Sequence, residues 1–175
     1  MKRKLLWIMI SLFLLTGCEE KKSEEAMAVT QEIYCNNTGA VFTFDGYWEV
    51  ESVQEKEEYR SVELKAKHKE TGANILIFHE QLEEIPSGEL LRDEDYIEAV
   101  KEKLKIADEY AYSVGETTDT ILYGKAYETF TATVSELNAK QQYYIRRENN
   151  QLTVITITVY GPDSVRQIIS LGKKI

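Results

Sequence analysis

Residues 61–79, SVELKAKHKETGANILIFH, hold the cleanest pattern in the chain. Val62, Leu64, Ala66 and His68 alternate with Ser61, Glu63, Lys65 and Lys67. A period of two with one apolar face is a half-buried strand. Lys69, Glu70, Thr71 and Gly72 supply a hairpin connection. The run that follows, Asn74 to His79, is apolar on both faces through Ile75, Leu76, Ile77 and Phe78. A strand covered on both sides reads that way. The fold expected is α+β, a predominantly antiparallel sheet of about six or seven strands flanked by helices on both faces.

Moving outward, Val41, Phe42 and Phe44 precede an Asp45-Gly46 turn, and Trp48 and Val50 give a second short strand. Glu55 to Glu58 reads as a charged turn. On the other side, Pro86-Ser87-Gly88 breaks the strand pattern. A helix then starts near Asp93, whose carboxylate suits an N-cap, and runs to about Asp108. Ile97, Val100 and Leu104 form its apolar stripe, with Tyr96 and Ala107 close by. Lys101, Lys103 and Lys105 sit toward its C-terminal end, where positive charge suits the helix dipole.

Strands resume with the alternating Tyr110, Tyr112 and Val114, and Gly115 to Thr120 reads as a loop or edge. Ile121 to Val134 is one long β-rich stretch, with Gly124 as a bulge or a close backbone approach. Gln142 to Arg147 and Leu152 to Tyr160 flank Asn149-Asn150, a tight hairpin. Gly161-Pro162-Asp163 opens a last helix with proline in its first position. Val165, Ile168 and Ile169 are its apolar side, and Gly172 stops it.

The N-terminus has a different character. Lys2, Arg3 and Lys4 precede an apolar run from Leu5 to Leu15, interrupted by Ser11. That is the layout of a secretory signal. It is shorter than the about 20 apolar residues that span a bilayer. Leu15-Thr16-Gly17-Cys18 closes it in the form of a bacterial lipobox. Small residues stand beside the cut, and the thiol of Cys18 accepts diacylglycerol, which anchors the chain. Glu19 to Ala28 is charged and small, the composition of a flexible tether. Three regions are therefore expected: a lipoprotein signal peptide at 1–17, a lipidated cysteine with a tether at 18–39, and a globular domain at 40–175.

The formal net charge is −9, from 21 basic and 30 acidic residues. Loss of Lys2, Arg3 and Lys4 with the leader makes the remainder more acidic still. Such a surface repels phosphate backbones, which argues against nucleic acid as a partner. The chain has two cysteines, so with Cys18 acylated Cys35 has no intramolecular disulfide partner. It is a buried small hydrophobe, a free thiol or an intermolecular bridge.

The succession of elements resembles the PsbP-like family, which includes extrinsic photosystem II subunits, Ran-binding import factors and bacterial lipoproteins. The resemblance rests on Trp48 after the first strand and on a mid-chain helix carrying Asp95-Tyr96-Ile97. Tyr123-Gly124-Lys125-Ala126 in a long strand, the tyrosine strand Tyr143-Tyr144-Ile145 and the C-terminal Ile168-Ile169-Ser170 complete it. It spans about Ala40 to Ile175. The resemblance implies an antiparallel sheet between helical layers and a non-catalytic binding or assembly role. It carries over no catalytic residue.

Chemistry-bearing residues are few. His68 ends an apolar strand face and reads as a packed or rim histidine. His79-Glu80 resembles the start of a zinc-protease motif, but Glu83 stands where the second histidine belongs, and the run before it is strand. Glu80, Glu83, Glu84, Glu89, Asp93, Glu94 and Asp95 form the densest carboxylate region. Glu80, Glu83 and Glu84 are the weak candidates for a hard cation, which takes six to eight oxygens, against the alternative of a solvated surface. Tyr110, Tyr112, Tyr123, Tyr127, Tyr143, Tyr144 and Tyr160 make the strands tyrosine-rich, and an exposed cluster among them would be an interface.

The reading expected from these residues is an exported lipoprotein, anchored to the cell membrane or envelope through Cys18. It acts there as a non-enzymatic binding or assembly module with an unknown protein or envelope partner and no cofactor. The alternatives are a divalent-cation or small-ligand binder using residues 80–95, and an envelope hydrolase.

Overall fold

The structure is a computed structural model that describes residues 30–51, 56–57, 60–84, 93–107 and 110–175. Cys18, the leader and most of the tether lie outside the described residues.

The strands are β1 (Gln31–Cys35), β2 (Ala40–Phe44), β3 (Trp48–Glu51), β4 (Lys56–Glu57), β5 (Arg60–His68) and β6 (Asn74–Gln81), followed after helix α1 (Asp93–Lys105) by β7 (Tyr112–Val114). Then come β8 (Thr118–Leu122), β9 (Lys125–Val134), β10 (Ala139–Glu148), β11 (Gln151–Tyr160), the short helix α2 (Val165–Ile169) and β12 (Gly172–Lys174). Among the described residues nine strands form one antiparallel sheet, in the order β3-β5-β6-β11-β10-β9-β7, with β4 on β5 and β8 on β9 at its two edges. A second sheet has the order β1-β2-β12. The fold is thus mostly antiparallel sheet with two helices, and the sheet is wider than the six or seven strands expected.

β6 lies inside the sheet between β5 and β11, and its sequence is apolar on both faces because each face is covered by a core. Ile75 and Ile77 point to one core with Ile155, Ile157 and Tyr144. Phe78 and Leu76 point to the other with Leu152, Val154, Tyr143 and Ile145. Helix α1 closes this second face by burying Tyr96, Ile97, Val100 and Leu104. Each such side chain contributes about 1.5–3 kcal/mol relative to exposure.

The first face departs from the expected helical layer. It is covered chiefly by the three-stranded sheet, through Cys35, Ala40, Phe42 and Phe44, with α2 adding Ile168. The reason lies ahead of residue 40. The tether region is expected to extend to residue 39, yet β1 pairs with β2 from Gln31↔Phe44 to Cys35↔Ala40. Cys35 and Thr38 are fully buried. The folded part therefore starts by Gln31, ahead of the expected start at Ala40. Gly172, expected to stop the last helix, lies just past the end of α2 and begins β12, which pairs with β2.

Two further boundaries shift. The stretch from Ile121 to Val134 is not one strand but the hairpin β8–β9, turned at Tyr123 and Gly124, both with positive φ. Glycine adopts that conformation at no steric cost. Helix α2 starts after Pro162. Ser164 is its N-cap, and its hydroxyl accepts from Gln167 N–H while the Gln167 side chain accepts from Ser164 N–H. That reciprocal box fixes the first turn.

Candidate functional site

The densest polar chemistry lies on the face under the three-stranded sheet. β6 pairs His79 with Ser61 of β5 and with Thr153 of β11, and β11 pairs Thr153 with Arg146 of β10. A β-bulge between Val62 and Leu64 shifts the register of β5 at this row. Val62 therefore packs on the α1 side, while Leu64 and Ala66 pack on the other. Glu63, at the bulge, reaches the row beneath the β1–β2 turn.

Glu63 accepts three hydrogen bonds there: from His79 Nε2 at 2.9 Å, Thr38 Oγ1 at 2.7 Å and Asn37 N–H at 2.8 Å. Burial alone would raise its carboxyl. The hydrogen bonds from His79 and Thr38, the charge of His79 and the Asn37 N–H together outweigh burial and hold it below the usual glutamate range. The other ring nitrogen, His79 Nδ1, lies 3.0 Å from Thr153 Oγ1. The carbonyl of Asn37 accepts from Lys125 Nζ at 2.8 Å and Arg146 Nη2 at 3.3 Å. One turn residue is thus gripped by both of its backbone polar groups.

Hydroxyl, imidazole and carboxylate in that order are the arrangement of an activated nucleophile, its base and the group that orients the base. Here Thr153 and His79 are each 1% exposed, so the hydroxyl has no open face toward a substrate. What the row does is seat the hairpin turn on the sheet. Cys35, beside it, is fully buried, and burial followed by the charge of Glu63 pushes its thiol up to about 12. Of the roles open to Cys35, the structure takes the buried small hydrophobe.

The acidic candidates go to different places. Glu80 is fully buried on the α1 side, where Arg60 Nε donates to its Oε1 at 2.9 Å and Nη2 donates to the same oxygen. The Arg60 guanidinium also lies 4.6 Å over the Phe78 ring. Glu83 is exposed and accepts from Asn150 Nδ2. Glu84 closes the 3-10 turn at Leu82–Glu84, and its side chain lies outside the described residues, as do those of Glu89, Asp93 and Glu94. Among the described residues no three carboxylate, histidine or cysteine side chains gather as metal ligands. Glu80 and Glu83 are not brought together, because Glu80 is committed to an arginine. His79 and Glu80, adjacent on a strand, point to opposite faces, whereas the zinc-protease motif needs a helix.

The tyrosines are structural. Tyr143 stacks on Phe130 at 4.7 Å and donates to Gln141 Oε1. Tyr144 meets Tyr127 edge-on, and Tyr123 donates to the Ile169 carbonyl at 3.0 Å. None of the seven strand tyrosines singled out is fully exposed, so they form no exposed cluster.

The open surfaces lie elsewhere. A groove of about 470 Å³ runs across the end of β8, β9 and β10. Pairing sets Asp119 opposite Glu128 and Glu128 opposite Ile145, so these share one face, and Arg147 joins the lining. Ile121, on the edge strand β8, is 71% exposed at this groove. A smaller cavity of about 190 Å³ lies between β3, β5 and α2, lined by Trp48, His68, Asp163 and Ile168 among others. Sequence reading passed over the groove because Ile121 looked like the inside of a long strand.

No protein-family model matches the chain, and no curated protein matches it. Among solved structures it is similar to the solution structure of cyanobacterial PsbP (CyanoP) from Synechocystis sp. PCC 6803. The TM-score is 0.53 at 12% identity, with 89% of this chain and 98% of that chain covered. A likeness at that identity is one of fold, and it spans nearly all of the compared protein. The resemblance carried by Trp48, Tyr96, Gly124 and the tyrosine strand thus has its counterpart in three dimensions, and the chain has a PsbP-like fold.

Proposed function

We propose that this chain is an extracytoplasmic lipoprotein, held to the cell membrane or envelope by lipid on Cys18, whose PsbP-like domain is a non-enzymatic binding or assembly module. The leader and lipobox supply the anchor. The domain is read as a form of the α/β/α sandwich in which a small sheet shares one layer with a short helix. The sealed state of Thr153 and His79 supports the non-enzymatic reading.

The observation that carries the binding role is Ile121: a large apolar side chain on the edge strand β8, 71% exposed beside a groove of about 470 Å³. Edge strands and exposed apolar groups are features that partners use. A photocrosslinking residue placed at Ile121 in the full-length protein, in its native membrane, tests the role. One reproducible adduct is expected from position 121, and none from the equally exposed Ile106 after α1. The same adducts from both positions, or none from 121, would refute it. Mass spectrometry of the N-terminal peptide tests the anchor: an acylated Cys18 is expected, and an unmodified one would remove it.

A further inference from the structure

Asp163 stands in the wall between two cavities. The smaller, about 190 Å³, is lined by Trp48, His68, Ala73, Asp163, Ile168 and Leu171 with two polar neighbours. The larger, about 280 Å³, includes Asp163 with Ser135, Asn138, Lys140 and Gly161. The backbone N–H of Asp163 donates to the Tyr160 carbonyl at 3.3 Å. Its carboxylate, by contrast, makes no hydrogen bond or ion pair among the described residues. It is only partly exposed.

His68 makes no ion pair with it among the described residues. The ring stacks on Tyr47 with centroids 5.9 Å apart and meets Trp48 edge-on at 5.2 Å. Its Nδ1 accepts the Thr71 N–H at 3.2 Å. Asp163 is the one carboxylate among the described residues that line the smaller cavity, and no lysine or arginine is among them. Trp48, Ala73, Ile168 and Leu171 make the rest of that wall mostly apolar.

We infer that the smaller cavity is a binding site for a primary ammonium group on a short apolar stem, as in an alkylamine or a lysine side chain. The stem covers the apolar wall while the head meets Asp163, the same division of labour by which lysine methylenes lie along apolar surface. The chain's net charge of −9 draws cations toward the surface that holds it. The site shares no residue with the Ile121 groove and does not depend on the anchor.

The test is a titration of the membrane-purified protein in detergent micelles, following the indole ¹H–¹⁵N signal of Trp48, the one tryptophan left once the leader with Trp7 is removed. The probes are n-butylammonium and Nα-acetyl-lysine methylamide, with butyrate and n-butanol as controls. A saturable shift is expected with the two cations, and none with butyrate. The tighter of the two cations shows whether a free amine or a lysine in a chain is the better match. Asp163→Asn should weaken binding roughly tenfold, the scale of a lost charge-assisted hydrogen bond, with the thermal midpoint kept. Asp163→Ser serves the same purpose if the asparagine variant does not fold. The inference is overturned by an indole signal that ignores both cations, by an equal response to butyrate, or by unchanged affinity without the carboxylate.

Discussion

His79 Nε2 lies 2.9 Å from Glu63 Oε2, although alternation along β5 had assigned Glu63 to the polar face with Ser61, Lys65 and Lys67. The contact exists because the bulge at Val62 and Leu64 breaks that alternation. Through Glu63, one imidazole holds two groups of the β1–β2 turn to the main sheet.

This pairing sets an acid limit on the protein. The carboxyl of Glu63 sits below its unfolded value in the folded state. Its contribution is therefore fully present above about pH 4.5, the ordinary glutamate range. It is lost as pH falls through the lower folded value. Glu63→Gln should cost about 1–3 kcal/mol at pH 7 by urea unfolding, the price of poorly satisfied buried partners. The gap to the wild type should close in acid, where the wild-type carboxylate is itself protonated. A gap that stays constant from pH 7 to pH 3 would refute the assignment.

Thr153 belongs to the same unit. Thr153→Val keeps the volume and removes the hydroxyl 3.0 Å from His79 Nδ1. It should cost about 1 kcal/mol alone. Combined with Glu63→Gln, the two losses should fall short of additive by at least about 0.5 kcal/mol, since both act through one ring. Strict additivity in the double-mutant cycle would mean that the row does not act as a network.

On the opposite face, the Arg60–Glu80 pair is buried and, among the described residues, Glu80 Oε2 has no hydrogen-bond partner. Arg60→Met takes the bonded partner from a buried carboxylate, leaving Lys103 as the nearby positive charge, and should destabilise by about 3–5 kcal/mol. Replacing both partners, as Arg60→Met with Glu80→Leu, should recover most of that loss, because the pair's desolvation cost disappears with it. Denaturant midpoints of the three variants check the order. A double variant no better than Arg60→Met would show that the pair contributes more than its own compensation.

Much of the fold could be read from periodicity. The both-face apolar run Ile75–Phe78 placed β6 at the sheet centre, and the stripe Ile97, Val100 and Leu104 placed α1. What escaped has physical causes. β1 has a burial pattern that is mostly exposed, because it is an edge strand of a small sheet, so its sequence resembles a tether. Glu63 escaped because a bulge leaves no mark in an alternating pattern. Thr153 escaped because a threonine in a β-rich run is as well suited to the strand itself. The PsbP-like arrangement was legible from element order, whereas the groove at Ile121 required knowing where β8 turns.

Gly172 is a packing requirement at the start of β12. A Cβ there would lie 2.5 Å from Tyr123 Oη and 2.8 Å from Phe42 Cε1, and Phe42 is fully buried. Gly172→Ala should therefore destabilise by about 1–3 kcal/mol as an overpacked site. It should also expose the β12 amides to hydrogen exchange before those of β6 and β11. Unchanged stability would mean that the C-terminal strand is not closely seated on β2.

Thiol counting joins the fold to the anchor in one measurement. Cys35 is fully buried with its thiol pushed up to about 12, so in the folded protein at pH 8 it is almost wholly protonated and shielded. A thiol-reactive reporter should therefore find nothing in native protein purified from membranes. In denaturant Cys35 reaches an ordinary thiol pKa and reacts within minutes. If Cys18 carries lipid on its sulfur, one equivalent should appear on unfolding, because the chain has only two cysteines. Two equivalents would disprove acylation of Cys18 while leaving the fold untouched. Rapid native reaction of a residue mapped to Cys35 would instead count against the packing of β1 on the sheet.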